Sequence, residues 1–355
     1  MEMRTQMTIY EGSVYQDRLN AMSQNSDVWY SLRGCSVLIT GASGMIGSCL
    51  VDYLMFLNQK YGAGISVYAM GRSEDSARRR FRHWCGQKYF HFIKHDVRER
   101  LDANMQIDYI IHAATSAHPA AYADTPADIS LANYMGTLHL LDYLKSHQGK
   151  RFLFISSGEI YGQSDIDGGF DEDSCGYTDP LSPRSCYPMS KLAAENLCVC
   201  YLRQYGVESI IVRPSHVYGP TSTKQDTRAV TAFLQHAATG QDIVMYSEGT
   251  QVRNYCYVFD CVEGVLCALT RGVPGRAYNI ADEKSIVSIK ELADLIAELG
   301  KVNVIIDLPN EKMRSGFTSI THGVLNAKAM KQLGWTAKVH VREGLEETLS
   351  VLRED

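Results

Sequence analysis

The stretch VLITGASGMIG, residues 37–47, decides the fold of this chain. Three glycines, Gly41, Gly44 and Gly47, stand between an apolar strand-like run and an apolar helix-forming segment. In such a turn the first glycine allows the tight bend, the second lets a pyrophosphate approach the backbone, and the third lets the helix pack against the strand. The first N–H groups of the helix would then face the phosphates. The stretch therefore predicts a dinucleotide site. Its G-x-x-G-x-x-G spacing differs from the basic G-x-G-x-x-G pattern, and a tight turn with nothing bound is the alternative.

Short apolar runs alternate with longer helical segments along the chain after this turn. The predicted strands lie at 36–40, 65–70, 90–94, 107–114, 151–156 and 208–214, and the predicted helices at 48–59, 127–146, 186–205, 229–239 and 288–300, the last with a glycine stop. Such alternation predicts parallel βαβ units, because helices cover both faces of a parallel sheet. The fold class is therefore α/β, a Rossmann-type doubly wound parallel sheet with a smaller C-terminal α/β substrate lobe.

The same pattern suggests how the chain is divided. We predict an N-terminal extension (1–33), a dinucleotide-binding Rossmann domain (34–213) and a mainly substrate-binding lobe (214–355). Segments near 255–285 are expected to return to the Rossmann domain.

Composition argues against several classes of protein. The chain has 355 residues, a hydrophobic fraction of 45%, a charged fraction of 21% and a formal net charge of −5. Its basic cluster Arg78-Arg79-Arg80 is short and flanked by acids, so no nucleic-acid partner is expected. No segment reaches the ~18 apolar residues of a membrane span, and the N-terminus lacks the apolar core of a signal peptide. The 10 cysteines lack Cys-x-x-Cys ligand spacing, which predicts free thiols in a reducing cytoplasm and no metal site.

Arg72 and Asp96 follow the second and third predicted strands and are candidates for cofactor binding. An acid that binds a ribose 2′-hydroxyl is expected about 20 residues after a glycine loop. Gly71 and Arg72 stand near that place, and the acids Glu74 and Asp75 come slightly late. An arginine there can pair with a 2′-phosphate, so NADP stays open beside NAD; a solvated strand-end arginine is the alternative. Asp96 is placed to accept a hydrogen bond from an adenine amino group, unless it is an ordinary turn aspartate.

Tyr187 and Lys191, in CYPMSK, stand four residues apart and share one face of the predicted helix. A lysine ammonium beside a phenol favours the phenolate and so lowers the phenol's pKa. Such a tyrosine can take a proton from a sugar hydroxyl while hydride leaves to a nicotinamide. Ser157, at the end of a strand, would hydrogen-bond the same oxygen and orient it. A lone Y-x-x-x-K is common by chance, but its position after the glycine loop and this serine makes it more specific.

Taken in order, these motifs resemble those of extended short-chain dehydrogenases/reductases of the nucleotide-sugar epimerase, dehydratase and decarboxylase family. The resemblance covers roughly residues 35–345 and includes VRPSHVYGP and RNYCYVFD. It implies a tightly held nicotinamide cofactor, an NDP-sugar substrate and a homodimer formed through helices. It further implies that Arg253 contacts the sugar diphosphate, a surface salt bridge being the alternative. The implied cofactor contacts include Met45, Ile46, Val97, Ala113 and Ala114.

Glu159, in ISSGEIYG (155–162), distinguishes members of this family. A glutamate two residues after the catalytic Ser/Thr marks, within the family, enzymes that act at C5 of the sugar, whereas plain C4 epimerisation needs no extra carboxylate. The dTDP-glucose 4,6-dehydratases usually carry an aspartate where this chain has Gly158, which weakens the dehydratase hypothesis without excluding it. A structural glutamate that caps a neighbouring N–H is the alternative.

Two further stretches resemble UDP-glucuronate decarboxylases. HPAAYADTP (118–126) is similar to the P-x-x-Y-x-x-x-P segment that covers the sugar, with Tyr122 as its tyrosine, and PRSCY (183–187) is similar to P-R-x-C-Y. The pattern departs after Tyr187, where PMSK replaces D-E-G-K. The asparagine usual before YGP is also replaced, and His216 is a candidate polar substitute or a structural histidine.

We therefore predict a redox-neutral NAD-dependent enzyme of the UDP-glucuronate decarboxylase type, with a UDP-sugar favoured as substrate. A 4,6-dehydratase is the first alternative and a 4-epimerase the second. A non-catalytic nucleotide-sensing protein is disfavoured by the intact Ser157, Tyr187 and Lys191, because a sensor needs only the glycine loop.

Overall fold

The computed structural model describes residues 8–115, 117, 119–164, 168–223, 225–307 and 320–354. The start of the predicted N-terminal extension (1–7), three parts of the predicted substrate lobe (224, 308–319 and 355) and the first residue of the segment 118–126 lie outside the described residues. Within the described ranges, no helix has the length and apolar character needed to cross a membrane.

The strands alternate with helices as the sequence pattern predicts. The strands are β1 (Ser36–Thr40), β2 (Ser66–Gly71), β3 (Phe90–Lys94), β4 (Tyr109–His112), β5 (Arg151–Ile155), β6 (Ser209–Pro214), β7 (His216–Tyr218), β8 (Ile243–Met245), β9 (Val252–Tyr257), β10 (Ala277–Ile280), β11 (Ile286–Ser288), β12 (Val304–Ile306) and β13 (His322–Gly323). The helices are α1 (Ser13–Asn25), α2 (Met45–Tyr61), α3 (Glu74–Arg80), α4 (Pro119–Asp124), α5 (Pro126–Ser146), α6 (Cys186–Tyr205), α7 (Ala229–Ala238), α8 (Val258–Arg271), α9 (Ile289–Gly300), the short helix Lys328–Gln332 and the C-terminal helix Val341–Glu354. Single 3-10 turns lie at Ile9–Glu11, Val28–Leu32, Gly158–Tyr161 and Pro183–Ser185.

Seven parallel strands form the central sheet, in the order β10-β6-β5-β4-β1-β2-β3. The strand order reverses between β1 and β4, and a crevice opens at the carboxyl ends of the strands at such a switch point. This confirms the predicted fold class. The segment that carries β10 joins the sheet beside β6, after the chain has formed β7, β8 and β9.

The remaining strands build two small sheets over the carboxyl edge. In one, β9 pairs with β11, β13 and β7, and in the other β12 pairs with β8. The helix α9 begins at a capping box of Ser288 and Glu291 and ends at Gly300, the predicted last residue. The left-handed conformation at the C-cap is taken by Lys301, with φ +59°, and not by the glycine. The domain boundaries drawn from the sequence stay a prediction.

Candidate active site

The glycine loop between β1 and α2 requires its glycines for two different reasons. Gly41 has φ +63°, and a Cβ there would lie 2.7 Å from the Ala114 Cα at the end of β4. A Cβ at Gly47 would lie 2.4 Å from the Gly41 carbonyl oxygen. The N-cap residue Gly44 has no side chain that could cap α2. The first N–H groups of α2 are therefore left for a ligand at the crevice, which is the arrangement that holds a pyrophosphate.

One cleft of about 920 Å³ runs from this loop to the ends of β5 and β6. Fourteen of the predicted site residues line it: Gly41, Gly44, Met45, Ile46, Gly47, Arg72, Ala113, Tyr122, Ser157, Glu159, Tyr187, Lys191, His216 and Arg253. Three others, Ala114, Asp96 and Val97, do not. The Asp96 carboxylate accepts hydrogen bonds from the backbone and side chain of Arg98, which lower its pKa.

Tyr187 and Lys191 lie on one face of α6, as their spacing predicts, and both side chains are buried. The Lys191 ammonium donates to the Ile155 carbonyl oxygen (2.7 Å), and it lies 5.7 Å from the centre of the Tyr187 ring. Burial lowers the pKa of Lys191 to about 7. The phenol departs from the expectation: burial first, and then the Glu159 charge, raise the pKa of Tyr187 to about 12, while a hydrogen bond with Ser157 lowers it. Lys191 does not offset the burial of the phenol, because its own charge is disfavoured by the same burial.

Glu159 stands on the 3-10 turn that follows β5, with its backbone N–H hydrogen-bonded to the Ser157 hydroxyl (3.1 Å). Its carboxylate accepts a hydrogen bond from the Arg184 guanidinium (2.9 Å). That guanidinium lies 4.2 Å from the centre of the Tyr122 ring, which is itself 5.2 Å from the centre of the Tyr187 ring. The glutamate is thus part of a layer of charged and aromatic groups beside the phenol. Sequence reasoning missed Arg184 as a site residue, although PRSCY contains it.

His216 and Arg253 meet on the paired strands β7 and β9, and both line the cleft. The Arg253 Nη1 donates to the His216 Nε2 (2.7 Å). Burial, Arg253 and Arg228 hold the pKa of His216 well below its ordinary value, so the ring is neutral and carries its proton on Nδ1. Arg228, a second cleft residue that sequence reasoning missed, is paired with Asp226.

Several buried polar atoms along this cleft have no hydrogen-bond partner among the described residues. They are Thr115 Oγ1, Ser156 Oγ, Arg184 Nε, Ser215 Oγ, His216 Nδ1 and His236 Nδ1. Buried polar groups normally have partners, so a polar ligand fits this cleft, and the glycine loop gives it a place for phosphates. Among the described residues, no three His, Cys, Asp or Glu side chains are grouped to hold a metal ion.

A model of the NAD dependent epimerase/dehydratase family matches residues 37–281. The chain belongs to the NAD dependent epimerase/dehydratase family. This confirms the predicted family and the predicted NAD dependence. Among curated members, the chain is 35% identical over 312 residues to UDP-glucuronic acid decarboxylase 6 of Arabidopsis thaliana, covering 87% of this chain and 86% of that protein. It is 31% identical over 322 residues to UDP-glucuronic acid decarboxylase 1 of Xenopus tropicalis, covering 90% and 72%.

Solved structures of the NAD dependent epimerase/dehydratase family share the fold. An epimerase from Methanothermobacter thermautotrophicus superposes with a TM-score of 0.80 at 23% identity, covering 92% of this chain and 95% of that chain. A dTDP-glucose 4,6-dehydratase from Streptomyces venezuelae, solved with NAD bound, gives a TM-score of 0.77 at 22% identity, covering 90% and 97%.

Proposed function

We propose that this chain decarboxylates UDP-glucuronate in a redox-neutral reaction. The observation that carries the proposal is the placement of Glu159 beside Ser157 and Tyr187 in the cleft that also contains the glycine loop. The curated relatives named above, both UDP-glucuronic acid decarboxylases, support the same reaction.

NAD fits the glycine loop, where Gly41, Gly44 and Gly47 leave room for its phosphates, and the cleft beside Tyr187 and Lys191. When bound, NAD supplies a reversible hydride acceptor and a positive ring charge that lowers the pKa of a neighbouring phenol. Arg72 lines the cleft at the end of β2, while Glu74 accepts a hydrogen bond from Arg78 (3.0 Å). NADP therefore stands as the alternative cofactor, and mass spectrometry of the nucleotide extracted from the purified protein tells the two apart.

The side chains of the chain account for the proton movements of this reaction. Tyr187 takes the proton of the C4 hydroxyl, and Ser157 orients that oxygen. Lys191 holds its face of α6 against the end of β5 through its hydrogen bond to the Ile155 carbonyl oxygen. A ketone at C4 makes the uronate a β-keto acid, so the bond from C5 to the carboxyl carbon breaks and carbon dioxide leaves. Its electron pair moves toward O4, next to the Tyr187 and Ser157 hydroxyls. C5 then takes one proton from solvent, because release of carbon dioxide from a carboxylate consumes a proton overall. Tyr187 returns its proton to O4 as the C4 ketone is reduced again, and Glu159 orders the groups around C5.

A second candidate function is a 4,6-dehydratase, because Glu159 also stands where a base at C5 is needed. A 4-epimerase uses Ser157, Tyr187 and Lys191 alone and leaves Glu159 without a role. Separate incubations with UDP-glucuronate, UDP-glucose, dTDP-glucose and GDP-mannose, followed by mass spectrometry, distinguish these reactions. Release of carbon dioxide from UDP-glucuronate is the expected result. Loss of water from a neutral sugar indicates a dehydratase, and failure to turn over the uronate overturns the proposal. Unchanged function in Tyr187→Phe would instead favour a nucleotide-sensing protein.

We also propose that the protein is a homodimer of the cytoplasm. One face formed by α5 and α6 carries exposed apolar side chains: Leu131, Tyr134, Met189, Leu192 and Val199. Their spacings of three and seven residues place them in rows along each helix, and such a face on helices is where a second copy would pack. All ten cysteines are free, which suits a reducing compartment. Sedimentation velocity of the purified protein tests the dimer, and cell fractionation tests the location.

A further inference from the structure

Arg184 is a cation of the cleft that the proposed reaction does not yet use. The 3-10 turn Pro183–Ser185 leads directly into α6, so this side chain enters the cleft three residues before Tyr187. Its guanidinium lies against the Tyr122 ring and donates to Glu159 through Nη2. The pair is mostly screened from solvent, with 17% of the Arg184 side chain and 20% of the Glu159 side chain exposed.

One donor of this guanidinium is still free to bind. Arg184 Nε is buried and has no hydrogen-bond partner among the described residues, although it lies on the same planar group as the nitrogen that binds Glu159. A guanidinium carries five N–H donors in a rigid plane and can therefore bridge two carboxylates. An unpaired buried N–H has a free-energy cost, which an anion placed against Nε would remove.

The other described cations of the cleft are less suited to this role. Arg228 is bonded to Asp226, and Lys191 donates to the Ile155 carbonyl oxygen. The Arg253 Nη1 already donates to His216 Nε2, although the charges of Glu159 and Arg184 reach this guanidinium. Arg72 follows β2, three positions across the sheet from β5, where Ser157 and Glu159 begin. A second carboxylate near Glu159 would be repelled unless a cation stood between them, and Arg184 is placed there.

We propose that Arg184 binds the carboxylate on C5 of the sugar and so selects uronic-acid sugars over neutral ones, an inference that rests on the proposed function. Its Nη2 holds Glu159, and its Nε meets the substrate carboxylate. The Tyr122 ring supports the flat face of the guanidinium and fixes its plane. The same cation keeps the charges of Glu159 and of the substrate from repelling each other.

Binding of two ligands that differ only in the carboxylate tests this assignment. UDP-xylose has the nucleotide, diphosphate and ring of UDP-glucuronate without the carboxylate. Calorimetric titrations are made in the NAD-loaded Tyr187→Phe protein, which stops turnover. Adding Arg184→Met should weaken UDP-glucuronate binding by about 10- to 100-fold, the range of a charge-assisted hydrogen bond. UDP-xylose binding should change less than about threefold, and Arg184→Lys should restore part of the loss.

Arg253→Met is the matched control, because replacing a residue that contacts the diphosphate should lower the affinity for both ligands by the same factor. If Arg184→Met lowers the affinity for the two ligands equally, Arg184 has a structural role only and the inference is overturned. If Arg184→Met lowers the melting temperature or the NAD content, Glu159→Gln replaces it. Removing the negative charge of Glu159 should increase the affinity for UDP-glucuronate relative to that for UDP-xylose. An unchanged ratio of the two affinities again overturns the inference.

The proposed function fails separately. If the wild-type protein does not decarboxylate UDP-glucuronate but Arg184→Met still shifts the ratio of affinities, the carboxylate site stands and the reaction is a different one. If decarboxylation occurs and the ratio does not shift, the reaction stands and the role of Arg184 is wrong.

Discussion

At the scale of single residues, the burial of Lys191 has a measurable consequence for stability. Burial lowers its pKa to about 7, whereas an unfolded lysine has a pKa of about 10.4. Between these values the unfolded chain binds more protons than the folded protein, so the free energy of unfolding rises with pH, by on the order of 4 kcal/mol. Lys191→Met removes this titration. Its stability relative to wild type should therefore be greatest below about pH 7 and decline towards about pH 10.

Urea unfolding of both proteins at matched NAD content, repeated across this pH range, measures the difference. Lys88→Met, at an exposed lysine, is the control and should show no such trend. If the free energy of unfolding of Lys191→Met differs from that of wild type by an amount that stays constant with pH, the prediction is contradicted.

Spacing and the family resemblance together predicted that Ser157, Glu159, Tyr187 and Lys191 share one cleft, because a strand end and one helix face are local features of the sequence. Two facts could not be obtained that way. The direction of the pKa shift at Tyr187 depends on burial by the whole fold, which spacing does not measure. The ion pair of Glu159 with Arg184 joins residues 25 apart through an irregular segment, whose path has no periodic signal.

At the scale of elements, the glycines before and after α2 predict different effects on NAD affinity when each is replaced by alanine. Gly41→Ala places a Cβ 2.7 Å from the Ala114 backbone in a left-handed residue, so the loop must move. We expect NAD affinity to fall by more than about 10-fold, because the N–H groups that face the phosphates are displaced. Gly62→Ala, at the other end of α2, also has a positive φ but nothing within 4 Å of its Cβ.

The Gly62 variant should therefore lose only about 1 kcal/mol of stability and bind NAD as wild type does. Calorimetric titration of NAD, with thermal unfolding of each variant, gives both quantities. Equal loss of NAD affinity in the two variants would mean that the loop geometry is not what binds the cofactor.

The longer elements could be predicted from the sequence, and the short ones could not. The helix expected over 186–205 is α6, and the strand expected over 36–40 is β1. By contrast β7, β8 and β12 have three residues each, which is too few for a period to show. They are strands because of their partners: β7 pairs with β9, and β8 pairs with β12. The end of α9 at residue 300 was predicted correctly, but Lys301 rather than the glycine takes the left-handed cap.

At the scale of the whole molecule, Asp52 connects the N-terminal segment to the Rossmann domain through hydrogen bonds. This carboxylate on α2 is fully buried and accepts hydrogen bonds from Tyr15 on α1 (2.9 Å), from Trp84 (2.8 Å) and from Arg80 on α3. The extension predicted over residues 1–33 contains α1, but its contacts could not be predicted from the sequence because its partners are far away in the chain. The same helix α1 also contacts the C-terminal helix, because its Arg18 forms ion pairs with Glu343 and Glu347. The segment therefore connects the two ends of the chain across α2.

Asp52→Asn should accordingly destabilise the whole protein rather than one lobe. It leaves the Arg80 charge, only 16% exposed, without its carboxylate, which costs about 3–5 kcal/mol for a buried pair. Glu74→Gln is the control: it breaks the Arg78–Glu74 pair, whose side chains are 69% and 44% exposed, and should cost under about 1 kcal/mol. Urea unfolding followed by tryptophan fluorescence and by far-ultraviolet circular dichroism should give one shared, lowered midpoint for Asp52→Asn, since α1 contacts α2, α8 and the C-terminal helix. Two separated transitions, or equal costs for the two variants, would mean that the N-terminal segment is not coupled to the rest of the fold through Asp52.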